Sequence, residues 1–126
     1  MHKSKLAGFI IDCKTKDLER AASFWAAALG MRTRTLPGEE GKTYIALDDP
    51  EKRMSIEVQA VDHDSRVHLD IAADDIEAEA RRLEKLGAKR ISKIKGWVVM
   101  EAPTGQRFCV VLGKSEGFQK TARTWE

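Results

Sequence analysis

Apolar and polar positions follow two rhythms along this chain, and the change from one to the other happens twice in the same order. Gly8–Cys13 (GFIIDC) and Val67–Ala72 (VHLDIA) are short runs rich in apolar and β-branched residues, which predicts strands. After each, apolar residues recur at helical spacing: Leu18, Ala22, Trp25 and Leu29 in the first case, Ile76, Ala80, Leu83 and Leu86 in the second. Residues three or four apart share one side of a helix, so each stretch predicts an amphipathic helix with one face on a core. Acidic residues open both stretches. Asp17 and Glu19 stand in the first turn of one, and Asp74 with Glu77 has the spacing of a capping box in the other. Gly30 and Gly87 close them, because glycine adopts the left-handed conformation that ends a helix with little strain.

Three short strands are expected behind each helix. They are Met31–Thr35, Thr43–Leu47 and Met54–Gln59, then Lys89–Ile94, Trp97–Glu101 and Phe108–Leu112. Pro37-Gly38, Asp49-Pro50, Gly96 and Pro103-Thr104-Gly105 mark the turns between them. The two halves also align residue by residue: Asp17-Leu18-Glu19 superposes on Asp75-Ile76-Glu77, which sets Ile10 on His68 and Asp12 on Asp70. Farther on, Met54–Val58 aligns loosely with Gln106–Val110. The expectation is one α+β domain made of two tandem βαβββ modules, residues 6–59 and 66–112, that form a curled mixed sheet around a central cleft. The polar stretch from Ala60 to Ser65 joins the modules, and residues 113–126 read as a polar, lysine-bearing C-terminal tail.

Composition narrows the class. The 126 residues are 42% hydrophobic and 33% charged, which suits a globular fold and not a disordered one. The 22 basic and 20 acidic residues are interspersed, for a net charge of +2, so no patch points to nucleic acid or a membrane surface. No apolar run approaches the ~20 residues of a membrane span, and no secretory signal precedes the first strand. Cys13 and Cys109 sit in apolar strands without a CxxC pair, which reads as two reduced core thiols in a cytoplasmic protein.

Chemistry-bearing residues concentrate on particular strand faces. His68 and Asp70 are two apart and share a face, as do Ser55, Glu57 and Gln59, and so do Ile10 and Asp12. His68 is a candidate ligand or general base, or else a histidine satisfied by a carboxylate within a half-buried strand. Asp12 and Asp70 are repeat partners in apolar strands, where a carboxylate needs a donor, from a shared pocket or from backbone groups near the following helix. Trp25 lies on the apolar helical stripe and is expected in the core, whereas Trp97 is a candidate pocket wall. His63 in Asp62-His63-Asp64 is expected to be solvated, and Gly38–Gly41 to be a hairpin tip. P-loop and G-x-G-x-x-G patterns are missing, which removes the common phosphate-loop chemistries.

The helix carrying Phe24-Trp25 and ending Leu29-Gly30, followed by HLDIAADDIEAEARRLEKLGA and GWVVMEAPTGQRFCVVL, resembles the glyoxalase/bleomycin-resistance (vicinal oxygen chelate) superfamily, and more narrowly its glyoxalase-like domains. The resemblance spans about Leu6 to Leu112. It implies a divalent metal held by residues of the first and fourth strands of each module, at Ile10, Glu57, His68 and Cys109. Ile10 offers no ligand atom and Cys109 stands where an acid is expected, so the implied set is incomplete, with His68 and Glu57 as its metal ligands. Two functions follow from the resemblance. One is a lyase or isomerase acting on an oxygen-rich small molecule, with His68 and Glu57 catalytic. The other is a non-catalytic binder of a drug-like molecule, as in bleomycin resistance. In both, Asp12, Asp70, Trp97 and Gln59 contact the small-molecule ligand, and a homodimer is expected because curled sheets leave edges for a second copy to cover.

Overall fold

The computed structural model describes residues 1–126 and contains nine strands and three α-helices, which makes the chain α+β. It forms two compact units, one of residues 8–68 and one of residues 1–7 with 69–126.

In the unit of residues 8–68, the end of β1 (His2–Lys14) leads into α1 (Leu18–Leu29), β2 (Arg32–Thr35), β3 (Tyr44–Asp48) and β4 (Ser55–Val61). The strands lie in the order β2-β3-β4-β1, with β4 parallel to β1 and the other pairs antiparallel. A parallel pair needs a crossover, and α1 supplies it. Asp17 caps α1 by accepting the Arg20 N–H at 3.1 Å, and Gly30 ends it at φ 69°. Ile11, Ala22, Leu47, Ile56 and Val58 form the core beneath the helix, with Phe9, Cys13 and Trp25 packed against it. Gly8 has no room for a side chain: a Cβ there would lie 1.7 Å from the Ser55 carbonyl oxygen. The Asp49-Pro50 turn is built on the Asp49 carboxylate. It accepts the N–H groups of Glu51 and Arg53, and the Glu51 bond, ahead of the Arg53 contacts, holds it below the usual carboxylate range.

The other unit repeats the arrangement. β5 (Arg66–Ala73) runs into α2 (Ile76–Lys85), then β6 (Lys89–Ile94), β7 (Trp97–Glu101) and β8 (Arg107–Leu112). The order is β5-β8-β7-β6, with β8 parallel to β5. Ala73, Ala80, Leu83, Val98, Met100 and Val110 form its core. Ala22 and Ala80, matched by the alignment of the two halves, are both buried under their helices.

Several local expectations change. The α2 cap is Asp75, which accepts the Ala78 N–H at 3.0 Å; Asp74 instead accepts the backbone N–H of Lys3 at 2.8 Å. The adjacent acids compete for one role, and the bond from Lys3 takes Asp74 out of it. Residues 38–42 form a 3-10 turn, and β4 takes the first two residues of the expected link. Residues 116–121 form α3, and Arg123–Trp125 form β9, which pairs antiparallel with His2–Ser4 of β1. Phe118 is buried there, with its ring against Gly113. A single buried aromatic has no periodicity, so sequence pattern alone reads this stretch as a tail.

A buried polar network fastens these terminal segments to α2. Glu79, with no exposed surface, accepts Arg82 Nε and Nη2 at 2.8 and 2.7 Å and bonds His2 Nε2 at 2.7 Å. Ser4 also hydrogen-bonds Glu79, while Trp125 Nε1 donates to Ser4 Oγ at 2.8 Å. The Arg82 guanidinium stacks over the Trp125 ring at 3.9 Å. Burial pushes the Glu79 carboxyl up, but the bonds from Arg82, His2 and Ser4 and the Arg82 charge outweigh it and hold the group below its usual range. No helix is long and apolar enough to cross a membrane.

Candidate functional site

Strand alternation in the unit of residues 8–68 sends Ile11, Ile56 and Val58 under α1 and turns Ile10, Asp12, Glu57 and Gln59 to the opposite face. The parallel ladder sets Ile10 beside Glu57 and Asp12 beside Gln59, and the next strand adds Tyr44 beside Gln59 and Ala46 beside Glu57. Glu57 and Gln59 are half-buried and Asp12 is only 2% exposed.

Asp12 is the centre of this face. Its Oδ2 lies 3.0 Å from His68 Nδ1, 3.6 Å from Arg66 Nε and 3.8 Å from His63 Nε2. Its Oδ1 is buried without a hydrogen-bond partner. A carboxylate against Nδ1 fixes that nitrogen as the proton-bearing one and leaves the lone pair of neutral His68 on Nε2. Asp12 thereby orients the His68 ring.

The expected residues His68, Asp12, Glu57 and Gln59 thus fall within one unit, with Asp12 joining Gln59 on one side to His68 on the other. Asp70 and Trp97 lie in the other unit. There the ladder pairs Asp70 with Cys109 and Cys109 with Val99, and Trp97 is two residues from Val99 on the same side of β7. The ladders also revise the alignment of the two halves. If Asp12 matches Asp70, then Gln59 matches Cys109 and Glu57 matches Arg107, two residues from the sequence alignment. Arg107 is held by Glu101 at 3.1 Å.

His63 is exposed, as expected, and Arg66 was not singled out from the sequence. His63 is 43% exposed yet reaches toward Asp12, and Arg66 shares the strand face of His68 two residues later. The signal was available in Arg66-Val67-His68, whose alternation puts both polar groups on one face, but its weight depends on where Asp12 lies. Cys13 belongs to the helix side. Burial raises its thiol, with the Asp12 charge adding to this and a bond to Trp25 opposing it, so it is a poor nucleophile.

A divalent metal of the implied kind fits this unit poorly. Ile10, directly beside Glu57, is buried and carries no ligand atom. A tight site calls for three or four well-placed protein ligands.

The sequence matches the model of the glyoxalase-like domain over residues 8–111. No curated protein matches it. Among solved structures, a hypothetical protein from Bacillus halodurans C-125 is similar at TM-score 0.66 and 13% identity, over 90% of this chain and 96% of that one. Methylmalonyl-CoA epimerase from Mycobacterium tuberculosis is similar at TM-score 0.64 and 15% identity, over 88% and 91%. The Streptomyces coelicolor methylmalonyl-CoA epimerase Q60A variant, in complex with 2-nitronate-propionyl-CoA, is similar at TM-score 0.54 and 12% identity, over 86% and 100%. At these identities the likeness is one of fold.

Proposed function

Because the chain belongs to the glyoxalase-like domain family, we propose that it is an isomerase or lyase that moves a proton on a small oxygen-rich molecule, with His68 and Glu57 as its acid/base groups. The observation that carries this reading is the 3.0 Å contact between His68 Nδ1 and a buried Asp12 carboxylate. His68 Nε2 takes the proton from a carbon next to a carbonyl. The C–H electron pair moves into the carbonyl oxygen as an enolate, and Asp12 stabilises the resulting imidazolium. In the isomerase form, the Glu57 carboxyl returns a proton to the opposite face of that carbon, and solvent exchange restores both groups. Gln59, beside Asp12, offers an amide donor to a substrate oxygen. No step passes through a metal.

A second reading, a non-catalytic small-molecule binder, is favoured by Ile10, which places a buried apolar group in the middle of the polar face. Incubation of the protein in D2O with small α-hydroxy and α-keto carbonyl compounds separates the two. Proton transfer predicts deuterium at the α carbon with the native protein and its loss in His68→Ala and Glu57→Ala. Saturable binding with no exchange for any compound establishes the binder instead.

A further inference from the structure

The segment between β4 and β5 does more than connect strands. The Lys14 N–H donates to Ser65 Oγ at 3.0 Å, which pins the segment alongside the end of β1. His63 Nδ1 lies 2.8 Å from its neighbour's carbonyl, Asp64 O, so Nδ1 carries the proton and Nε2 of the neutral ring is an acceptor. Arg66 Nη2 lies 3.4 Å from that Nε2, and Arg66 Nε lies 3.6 Å from Asp12 Oδ2. The guanidinium is therefore steadied on its Nε–Nη2 side by one imidazole and one carboxylate. These contacts do not use Nη1, and the side chain is 47% exposed. The exposed Asp64 carboxylate lies 3.7 Å from the Lys14 ammonium. Beside this cation is the opposite kind of need: Asp12 Oδ1, buried and without a donor.

A cation with donors to spare next to an acceptor lacking one is complementary to a molecule that carries an anion and a hydroxyl close together. We propose that Arg66 is the substrate-recognition residue of this site, that it takes a carboxylate, and that Asp12 Oδ1 accepts a hydroxyl on the neighbouring carbon. The substrate class is then a small 2-hydroxy acid or a close analogue. His63 is a positioning residue that acts through Arg66. This rests on the site named under the proposed function and deepens it. A guanidinium is suited to the task because its planar fork matches the two oxygens of a carboxylate.

The test is equilibrium binding, followed by NMR shifts of the histidine and arginine side chains during titration with 2-hydroxypropanoate and, separately, its uncharged amide. The native protein should bind the acid about tenfold or more tighter than the amide, the worth of one charge-assisted contact. Arg66→Gln should remove that preference, and Arg66→Lys should keep part of it. His63→Ala should weaken the acid while leaving the amide unchanged. Equal affinities for acid and amide, no binding of either, or an Arg66→Gln protein that still prefers the acid would each overturn the proposal. Because the readout is binding and not turnover, a protein that prefers the acid yet exchanges no deuterium leaves the clamp standing and defeats only the proton-transfer reading.

Discussion

Glu79 in one unit and Asp12 in the other are both buried carboxylates, and the two are treated in opposite ways. Glu79 sits on a helix with no exposed surface, and its oxygens are taken up by Arg82, His2 and Ser4. Asp12 sits near the end of β1 on the face away from the helix, nearly as buried, with one oxygen shared between His68 and Arg66 and the other left without a donor. A fully satisfied buried network rigidifies what it joins, and here it joins both terminal segments to α2. A buried oxygen without a partner costs stability on folding, and such a cost is tolerated where a ligand supplies the missing bond. The first carboxylate ties parts of the fold together, and the second has an oxygen left over for a ligand under the proposed function.

That contrast is open to direct attack. The largest expected effect is on rate: His68→Ala should lower the deuterium exchange of the proposed reaction by about 10²–10⁴-fold, the usual range for a positioned acid/base group. Its stability cost should stay near 1–2 kcal/mol, because one hydrogen bond to a buried carboxylate is lost. Kinetics and urea melts on the same preparation check both, and a protein that unfolds while its rate per folded molecule is kept would make His68 a core residue.

Glu79→Gln should do the reverse. It leaves the Arg82 cation without its carboxylate, and breaking such a buried pair costs roughly 3 kcal/mol. The exchange rate per folded molecule should not change. A loss below ~1 kcal/mol in urea melts would erase the difference between the two acids.

Acid tests the same network without mutation. The Glu79 carboxyl is lower in the folded state than in the unfolded chain, so its contribution is complete above the unfolded value of about 4.3 and is lost as the pH falls through the folded one. Stability should therefore drop below about pH 4.3, and in Glu79→Gln the drop should be shallower. Parallel acid titrations of the two proteins would show the opposite if the group were held above its usual range.

The smallest expected effect is at Trp125. Its ring carries Arg82 and its indole N–H holds Ser4, so Trp125→Leu should cost about 1 kcal/mol. Hydrogen exchange should rise first in residues 2–4 and 116–125, since those segments meet through this side chain.

Much of the fold follows from local pattern. Strand and helix periodicity, the Asp17 cap, the Gly30 stop and the alignment of Ala22 with Ala80 are all properties of short stretches, and each unit carries the elements in the expected order. Alternation grouped Asp12 with Ile10, Glu57 with Gln59 and His68 with Asp70, because which side of a strand a residue faces is set by parity, and the family resemblance made Glu57 and His68 candidates. Tertiary structure decided the rest. Parity does not say which residue lies opposite which, so only the ladders show that Gln59 and not Glu57 corresponds to Cys109. The cap fell to Asp75 over Asp74 because the N–H of the distant Lys3 draws the Asp74 carboxylate away. The last residues folded as α3 and β9 because the partner of β9 lies at the other end of the chain. His63 and Arg66 come near Asp12 for the same reason: a contact between residues about fifty positions apart leaves no periodic trace in either stretch.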